Sequence, residues 1–371
     1  MEVVRVSTLE LFFDLVFVFT ITQLTTVLVA RPNARGVLQV VLMLGVIWWM
    51  YGGYAWLTNA VAPDRASRRL LLLGGMAAYL VLALAIPQAF TDTGLTFGLA
   101  YVAIVAVHAG LFTRTSSEAT LRNLLTLAPF NLISAFVVLA GGIAGGTAQY
   151  VLWTLAFVFE WFSPRLIGNA GFVIGASHFV ERHGLVVIIA IGESIVAIGI
   201  ASEGLAIDLQ LVAFAVLGLA LSACLWWVYF GEEERTERAL ATTPPDRQSL
   251  VAVDAFGVWH LPILLGIVAI AATEKEATGH VFDALDFEPA LGLAAGLSIF
   301  LIGDVFFRRT LGLGRGGARL AAAALAPAAI PLGTELSAFA ELAALVALLV
   351  VTLGGEARAA ATASAGRSGG L

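Results

Sequence analysis

Unbroken apolar runs of about twenty residues recur along this chain from Leu11 to Leu353, and that repetition constrains its fold more than any other feature. A helix needs about 20 apolar residues to cross a hydrocarbon core of roughly 30 Å. A strand of a membrane barrel would instead show about ten residues alternating apolar and polar. The runs do not alternate, so the expected fold class is all-α, a polytopic membrane protein. Composition agrees: 60% of the 371 residues are hydrophobic and 12% are charged, where soluble domains carry about 25% charge. A single cysteine, Cys224, leaves no internal disulfide and no Cys-rich metal or iron–sulfur centre.

Cutting at polar and Gly/Pro-rich breaks gives twelve expected transmembrane helices, at 10–30, 37–58, 69–88, 95–113, 121–143, 147–163, 178–201, 208–230, 249–272, 289–307, 317–333 and 335–353. The first is read as a retained span, because Met1–Val6 is not a basic leader and Asp14 interrupts the apolar stretch. Seventeen of the twenty Lys and Arg fall at the N-terminus, in loops after even-numbered spans, or in the tail. Only Arg31, Arg35 and Lys275 fall on the other side. Positive charge is retained in the cytoplasm, so both termini are expected there. The preference for Arg over Lys, with abundant Ala and Gly, fits a GC-rich bacterial genome and hence the bacterial inner membrane.

The spans repeat. Trp48-Trp49-Met50-Tyr51 returns as Trp226-Trp227-Val228-Tyr229, an offset of 178, and Arg69 matches Arg247 at the same offset. Phe97-Gly98-Leu99-Ala100 is echoed by Leu291-Gly292-Leu293-Ala294, and Leu127-Ala128-Pro129 by Leu325-Ala326-Pro327. The order points to two six-helix halves, 1–170 and 171–355, followed by a disordered cytoplasmic tail over 356–371. Six is even, so both halves enter from one side as parallel repeats, an arrangement that transporters use to build a pathway along the axis.

Charge inside a span is costly, about 2.5–3.5 kcal/mol on insertion scales, and therefore marks protein-lined or water-filled places. The offset of the tryptophan motif plus one residue carries Asp14 in the first span onto Glu193 in the seventh. Glu10, Asp14 and Thr25 share a face at 100° per residue, as do His178 and Arg182. These six are the candidate transport or ion-binding residues, with Asp14 and Glu193 expected to flank one pathway. Glu181, Asp254 and His260 are secondary candidates. An alternative role for Asp14 and Glu193 is to pair with Arg5, Arg182 or helix ends and fix packing. Asp304 is expected to pair with Arg308 at i+4.

No metal site is expected: His178 and His183 are five apart, about 140° round a helix, where a helical ligand pair needs i and i+4. There is no Gly-rich nucleotide loop, no nucleophile elbow and no long loop to house a catalytic domain, so no cofactor and no soluble-type enzyme chemistry are expected. The acidic-then-basic stretch beginning at Glu232 reads as a solvated continuation of the eighth span.

Three blocks resemble the signatures of the bacterial low temperature requirement A family: Glu10-Leu11-Phe12-Phe13-Asp14-Leu15-Val16-Phe17-Val18-Phe19, His178-Phe179-Val180-Glu181-Arg182-His183-Gly184-Leu185, and Ile191-Gly192-Glu193-Ser194-Ile195. The resemblance covers essentially the whole chain and implies a multi-pass bacterial membrane protein. A remoter likeness joins Phe12, Asp14 and the apolar trail after them to the Phe-Ser-Asp motif that opens each six-helix repeat of a lysosomal and bacterial potassium-channel family. Phe13 replaces the serine here, and the second half carries Gly192-Glu193 in place of the motif.

The reading that follows is a membrane transporter or channel for a small cation, with proton linkage an option. Its partners are the lipid bilayer, the cation or proton, and a second copy in a homodimer, with no nucleic acid. The rival readings are an intramembrane enzyme acting on a lipid or isoprenoid, with His178, Glu181, Glu193 and His260 on one face, and a non-catalytic, stress-related membrane scaffold.

Overall fold

The structure, a computed structural model, describes residues 6–60, 65–112, 118–167 and 174–368. Among them are fifteen α-helices and no strand. In chain order these are α1 (Thr8–Ala30), α2 (Ala34–Ala60), α3 (Ala66–Ala85), α4 (Gly94–Phe112), α5 (Glu118–Ala144), α6 (Gly146–Ile167), α7 (Ala176–Ala201), α8 (Leu209–Phe230), α9 (Glu233–Ala241), α10 (Pro245–Ala252), α11 (His260–Ala277), α12 (Phe287–Thr310), α13 (Gly317–Leu325), α14 (Ile330–Glu335) and α15 (Ala338–Ser368). A six-residue π-helical turn, Val253–Val258, leads from α10 towards α11.

Ten stretches among the described residues are long and apolar enough to cross a membrane, from Thr8–Ala30 at one end to Ala338–Thr362 at the other. The chain is therefore a multi-pass, all-helical membrane protein. Two of the twelve expected spans are not among the ten. At 147–163 stands α6, which has the length but carries Gln149, Tyr150 and Glu160 and is less apolar. At 317–333 stand three short pieces, α13, a 3-10 turn at Ala326–Ala329, and α14. Pro327 and Pro331 explain the interruption, since a proline offers no N–H to the helical ladder and its ring crowds the carbonyl four residues back. The stretch after the eighth span is a separate helix, α9, set off by a turn at Gly231–Glu232. Helix α15 runs on to Ser368, through most of the tail expected to be disordered. Its alanines are the strongest helix formers.

The chain divides into two compact units, Met1–Ala190 with Glu233–Leu261, and Ile191–Glu232 with Pro262–Leu371. The expected repeat boundary at 170/171 falls inside the first. That unit is built on an aromatic core. Phe13 stacks on Tyr54 with ring centroids 4.9 Å apart and meets Tyr79 edge-on at 5.2 Å. Phe17 lies 4.4 Å from Tyr51, and Tyr51 stacks on Trp48 at 5.0 Å. Such pairs contribute about 0.5–1.5 kcal/mol each beyond area burial. Helices α5 and α6 are joined by Gly145 and Gly146 at φ +65° and +54°, a left-handed turn that a side chain would strain. Outward, Leu70, Leu84, Phe136 and Ile143 are exposed, a surface that suits lipid and not water.

The second unit packs Leu297, Phe300, Leu301, Leu342, Leu345 and Leu349 inside and exposes Leu209, Val216, Trp227 and Val351. Helices α11 and α12 approach most closely at Gly266 and Gly296, where a methyl group on Gly296 would come 2.9 Å from the Gly266 carbonyl oxygen. Small residues at a crossing let the backbones make the contacts that lipid cannot supply.

Candidate functional site

Helix α1 begins with a reciprocal cap. The Glu10 backbone N–H donates to Ser7 Oγ, and Glu10 Oε2 accepts from the Ser7 N–H at 2.8 Å and the Ser7 hydroxyl at 2.7 Å. This satisfies backbone donors that a helix start leaves bare and pins the carboxylate with Oε1 turned the other way. Oε1 then accepts from Arg182 Nη1 at 2.9 Å and from His178 Nε2 at 3.0 Å. Arg182 Nη1 also donates to Thr58 Oγ1 at 3.1 Å, and its Nη2 donates to Asp14 Oδ1 at 2.9 Å. The Tyr51 hydroxyl donates to the same Asp14 oxygen at 3.0 Å. Glu10, Asp14, His178 and Arg182 are all buried. The Arg182 guanidinium also lies 5.9 Å and 5.8 Å from the ring centres of Phe13 and Tyr51, within reach of their negative faces.

The tautomer of His178 follows from its other neighbour. Asn59 Oδ1 accepts from the Gly175 N–H at 3.0 Å, and Asn59 Nδ2 donates to the Gly175 carbonyl at 3.1 Å, which fixes the amide orientation. That Nδ2 lies 3.2 Å from His178 Nδ1. Nδ1 is therefore the acceptor, Nε2 carries the hydrogen given to Glu10, and the ring in this geometry adds no positive charge. Two carboxylates face one guanidinium, and Asp14 Oδ2 has no hydrogen-bond partner among the described residues. As carboxylates they leave the cluster one negative charge in excess among the described residues.

The structure thus brings four of the six primary candidates together in the first unit. Thr25 lies further along α1, buried, with its hydroxyl unpartnered among the described residues. Glu193 is buried on α7 in the second unit. Arg5 lies outside the residues that the structure describes. Of the secondary candidates, Glu181 accepts the Val6 N–H at 3.3 Å and Asp254 is half-buried in the π-helical turn. His260 is buried, its Nδ1 bonded to the Ala255 carbonyl at 3.0 Å and its ring stacked near Trp48 at 6.1 Å. His183 turns Nδ1 to the Phe179 carbonyl at 2.8 Å.

One expected pair is corrected. Asp304 bonds Arg319 Nη1 at 2.5 Å and not Arg308, which pairs with Glu232. An exposed i,i+4 pair contributes only about 0.2–0.5 kcal/mol. A buried charge-assisted bond from a neighbouring helix outweighs it.

Sequence reasoning gave no site role to the α2 contributors: Tyr51 was read only as part of the tryptophan repeat, and Thr58 and Asn59 are marked only by polarity near the end of an apolar run. The Ser7-Thr8-Leu9-Glu10 capping pattern would have revealed the helix start. It also missed two further buried carboxylates, Glu274 and Glu341, and read Glu160 only as an option for a satisfied core residue. Glu160 accepts from Tyr101 at 2.5 Å and Ser134 at 2.6 Å. Glu274 and Glu341 are buried with neither oxygen hydrogen-bonded among the described residues.

The model of the bacterial low temperature requirement A protein family matches residues 5–353. An uncharacterized protein of Rhizobium meliloti (strain 1021), RA0937, is 31% identical over 321 residues, which is 81% of this chain and 76% of that protein. No solved structure matches. The matched region takes in both the capped start of α1 and the His178–Arg182 turn of α7 that close on each other, and the chain belongs to the bacterial low temperature requirement A family.

Proposed function

We propose that the protein is a transporter or channel for a small cation, with proton linkage, and not an enzyme. The observation that carries this is the charge of the buried cluster among the described residues: Glu10 and Asp14 face the one guanidinium of Arg182, and Asp14 Oδ2 has no hydrogen-bond partner there. An uncompensated carboxylate in a low-dielectric interior is unstable until it takes up a proton or a cation. Potassium is the first metal cation to test, given the likeness of Phe12 and Asp14 to the potassium-channel motif.

Purified protein in liposomes, with a panel of ions and a proton-sensitive dye, should show flux. Asp14→Asn keeps the acceptor for Tyr51 and Arg182 while removing the charge. It should lower the initial rate by about tenfold or more, equivalent to about 1.4 kcal/mol, and flatten its pH dependence, with the protein still monodisperse. Glu193→Gln should do likewise. Normal flux in both stable variants would sink the transport role of these acids; failure of both to fold would favour a purely structural network.

The finer layout belongs to the same proposal: twelve spans as two parallel six-helix repeats in the bacterial inner membrane, both termini cytoplasmic. It is supported by the one-sided distribution of Arg. In a Cys-free background, cysteines placed after α6 and after α7 should label from opposite sides, and termini on opposite sides would refute it.

A further inference from the structure

We infer that Glu274 is a proton-exchange site in the second unit, served by the hydroxyls of Ser194 and Ser222. This deepens the proposed proton linkage by naming a group that would carry the proton, and it rests on that reading only for its purpose, not for its existence.

Glu274 sits about one turn from the end of α11 and is 1% exposed. Ser194 of α7 lies beside its carboxyl group, yet among the described residues neither its hydroxyl nor either carboxyl oxygen reaches hydrogen-bond geometry with a partner. Gly218 of α8 faces the same group: a methyl there would stand 3.2 Å from Glu274 Oε1. Ser222, four residues on and on the same face of α8, is also buried with its hydroxyl unpartnered. Serines and threonines in apolar helices commonly bond back to the carbonyl of the preceding turn. In this unit Ser202, Thr278, Ser298 and Thr310 do so. Ser194 and Ser222 do not: the Ser194 hydrogen is available to the carboxyl group beside it, and the Ser222 hydrogen lies one turn along α8 from the glycine that faces that group.

The surrounding charges do not compensate the acid. Glu193 precedes Ser194 on α7, Cys224 lies on α8, and Lys275 and Glu276 follow on α11 itself. On α12 Glu288 is exposed at the helix start, as are His280 and Asp283 in the loop beyond α11. Among the described residues none of them hydrogen-bonds either carboxyl oxygen of Glu274. An anionic carboxylate held this way needs a positive ligand. Calcium and magnesium take six or more oxygens, and one carboxylate with two hydroxyls falls short of such a shell. A proton needs a single acceptor oxygen. It would leave water near His280 and bind a Glu274 carboxylate oxygen to give the neutral acid, and it would depart by the reverse step. No bond to carbon changes.

A hydrophobic carbodiimide, which adds to protonated carboxyl groups in apolar surroundings, tests this directly on the intact purified protein, with peptide mass spectrometry and no flux measurement. Modification at Glu274 should titrate, strong at low pH and lost as pH rises, and be absent in Glu274→Gln. Ser194→Ala should displace the midpoint by about half a pH unit or more, while Ser202→Ala should not. Labelling that ignores pH would mean a permanently protonated structural group, and no labelling at any pH would mean an inaccessible one; either overturns the proposal. Protection by sodium or lithium at fixed pH would overturn it in favour of a metal cation. If Glu274 titrates while no ion flux is found, the proton site stands and the transport reading falls. Flux without titration at Glu274 leaves the transport reading standing and removes this site.

Discussion

Arg182→Met should destabilise the protein by about 3–5 kcal/mol, the cost of leaving buried charge without its partner. The substitution preserves most of the side-chain volume, so the loss falls on electrostatics and hydrogen bonding. Two carboxylates, Glu10 and Asp14, lose their shared cation, and Thr58 loses its donor. Domains are typically stable by only 5–15 kcal/mol, so the variant should yield a much lower melting temperature in detergent or fail to give a monodisperse species. Arg182→Lys should fall between, because an ammonium cannot fork to both acids as a planar guanidinium does. The triple variant Glu10→Gln, Asp14→Asn, Arg182→Met should recover much of the loss, since a neutral hydrogen-bonding cluster carries no unpaired charge. If Arg182→Met melts like the parent, the cluster does not hold the helices together.

Arg319→Met should produce a comparable loss centred on the second unit. Arg319 joins four helices: it bonds Asp304 of α12 at 2.5 Å, the Val228 carbonyl of α8 at 2.9 Å, and both carboxylate oxygens of Glu356 on α15 at 3.0–3.2 Å. Without it Asp304 is a buried acid left only with Arg308, which is itself paired with Glu232. The predicted cost is about 3–5 kcal/mol, and hydrogen exchange in α15 beyond residue 350 should rise. Glu356→Gln should cost about 1 kcal/mol or less, because that carboxylate is part-exposed and exposed pairs contribute little. Equal losses in the two variants would contradict this division.

What the residues announced in advance, they announced through cost. Asp14, Glu10, His178 and Arg182 stood out because charge in an apolar run is expensive, and helical spacing put Glu10 with Asp14 and His178 with Arg182 on common faces. That α1 and α7 meet through those faces is a tertiary fact, and no single-helix periodicity contains it. Tyr51 and Thr58 were illegible for the same reason: a phenol or hydroxyl near a helix end is ordinary until a partner helix arrives. Glu274 lies beyond the ninth span expected at 249–272 and was given no role, yet it is buried while Lys275 and Glu276 beside it are not. The i,i+4 rule misassigned Asp304 because a local rule is weak against a buried partner supplied by α13. The break at 326–331 was written in Pro327 and Pro331, and was overlooked because the alanines around them kept the hydropathy high.

The π-helical turn at Val253–Val258 has a consequence for phase. An i→i+5 turn accommodates one residue more than a regular turn, and each surplus residue advances the side chains about 100° round the axis. Pro262 denies the Val258 carbonyl its usual donor four residues on, which makes the looser winding cheaper just upstream. The chain from Pro245 to Ala277 thus carries two helical phases with a slip between them, and a residue's facing before the slip says nothing of one after it. His260 reaches the Ala255 carbonyl and the Trp48 ring because it lies beyond the slip. Deleting one residue of the turn would restore a uniform helix and carry His260 about a quarter-turn round relative to α10, away from the Trp48 ring, so chain length in this turn is under the same constraint as side-chain identity elsewhere.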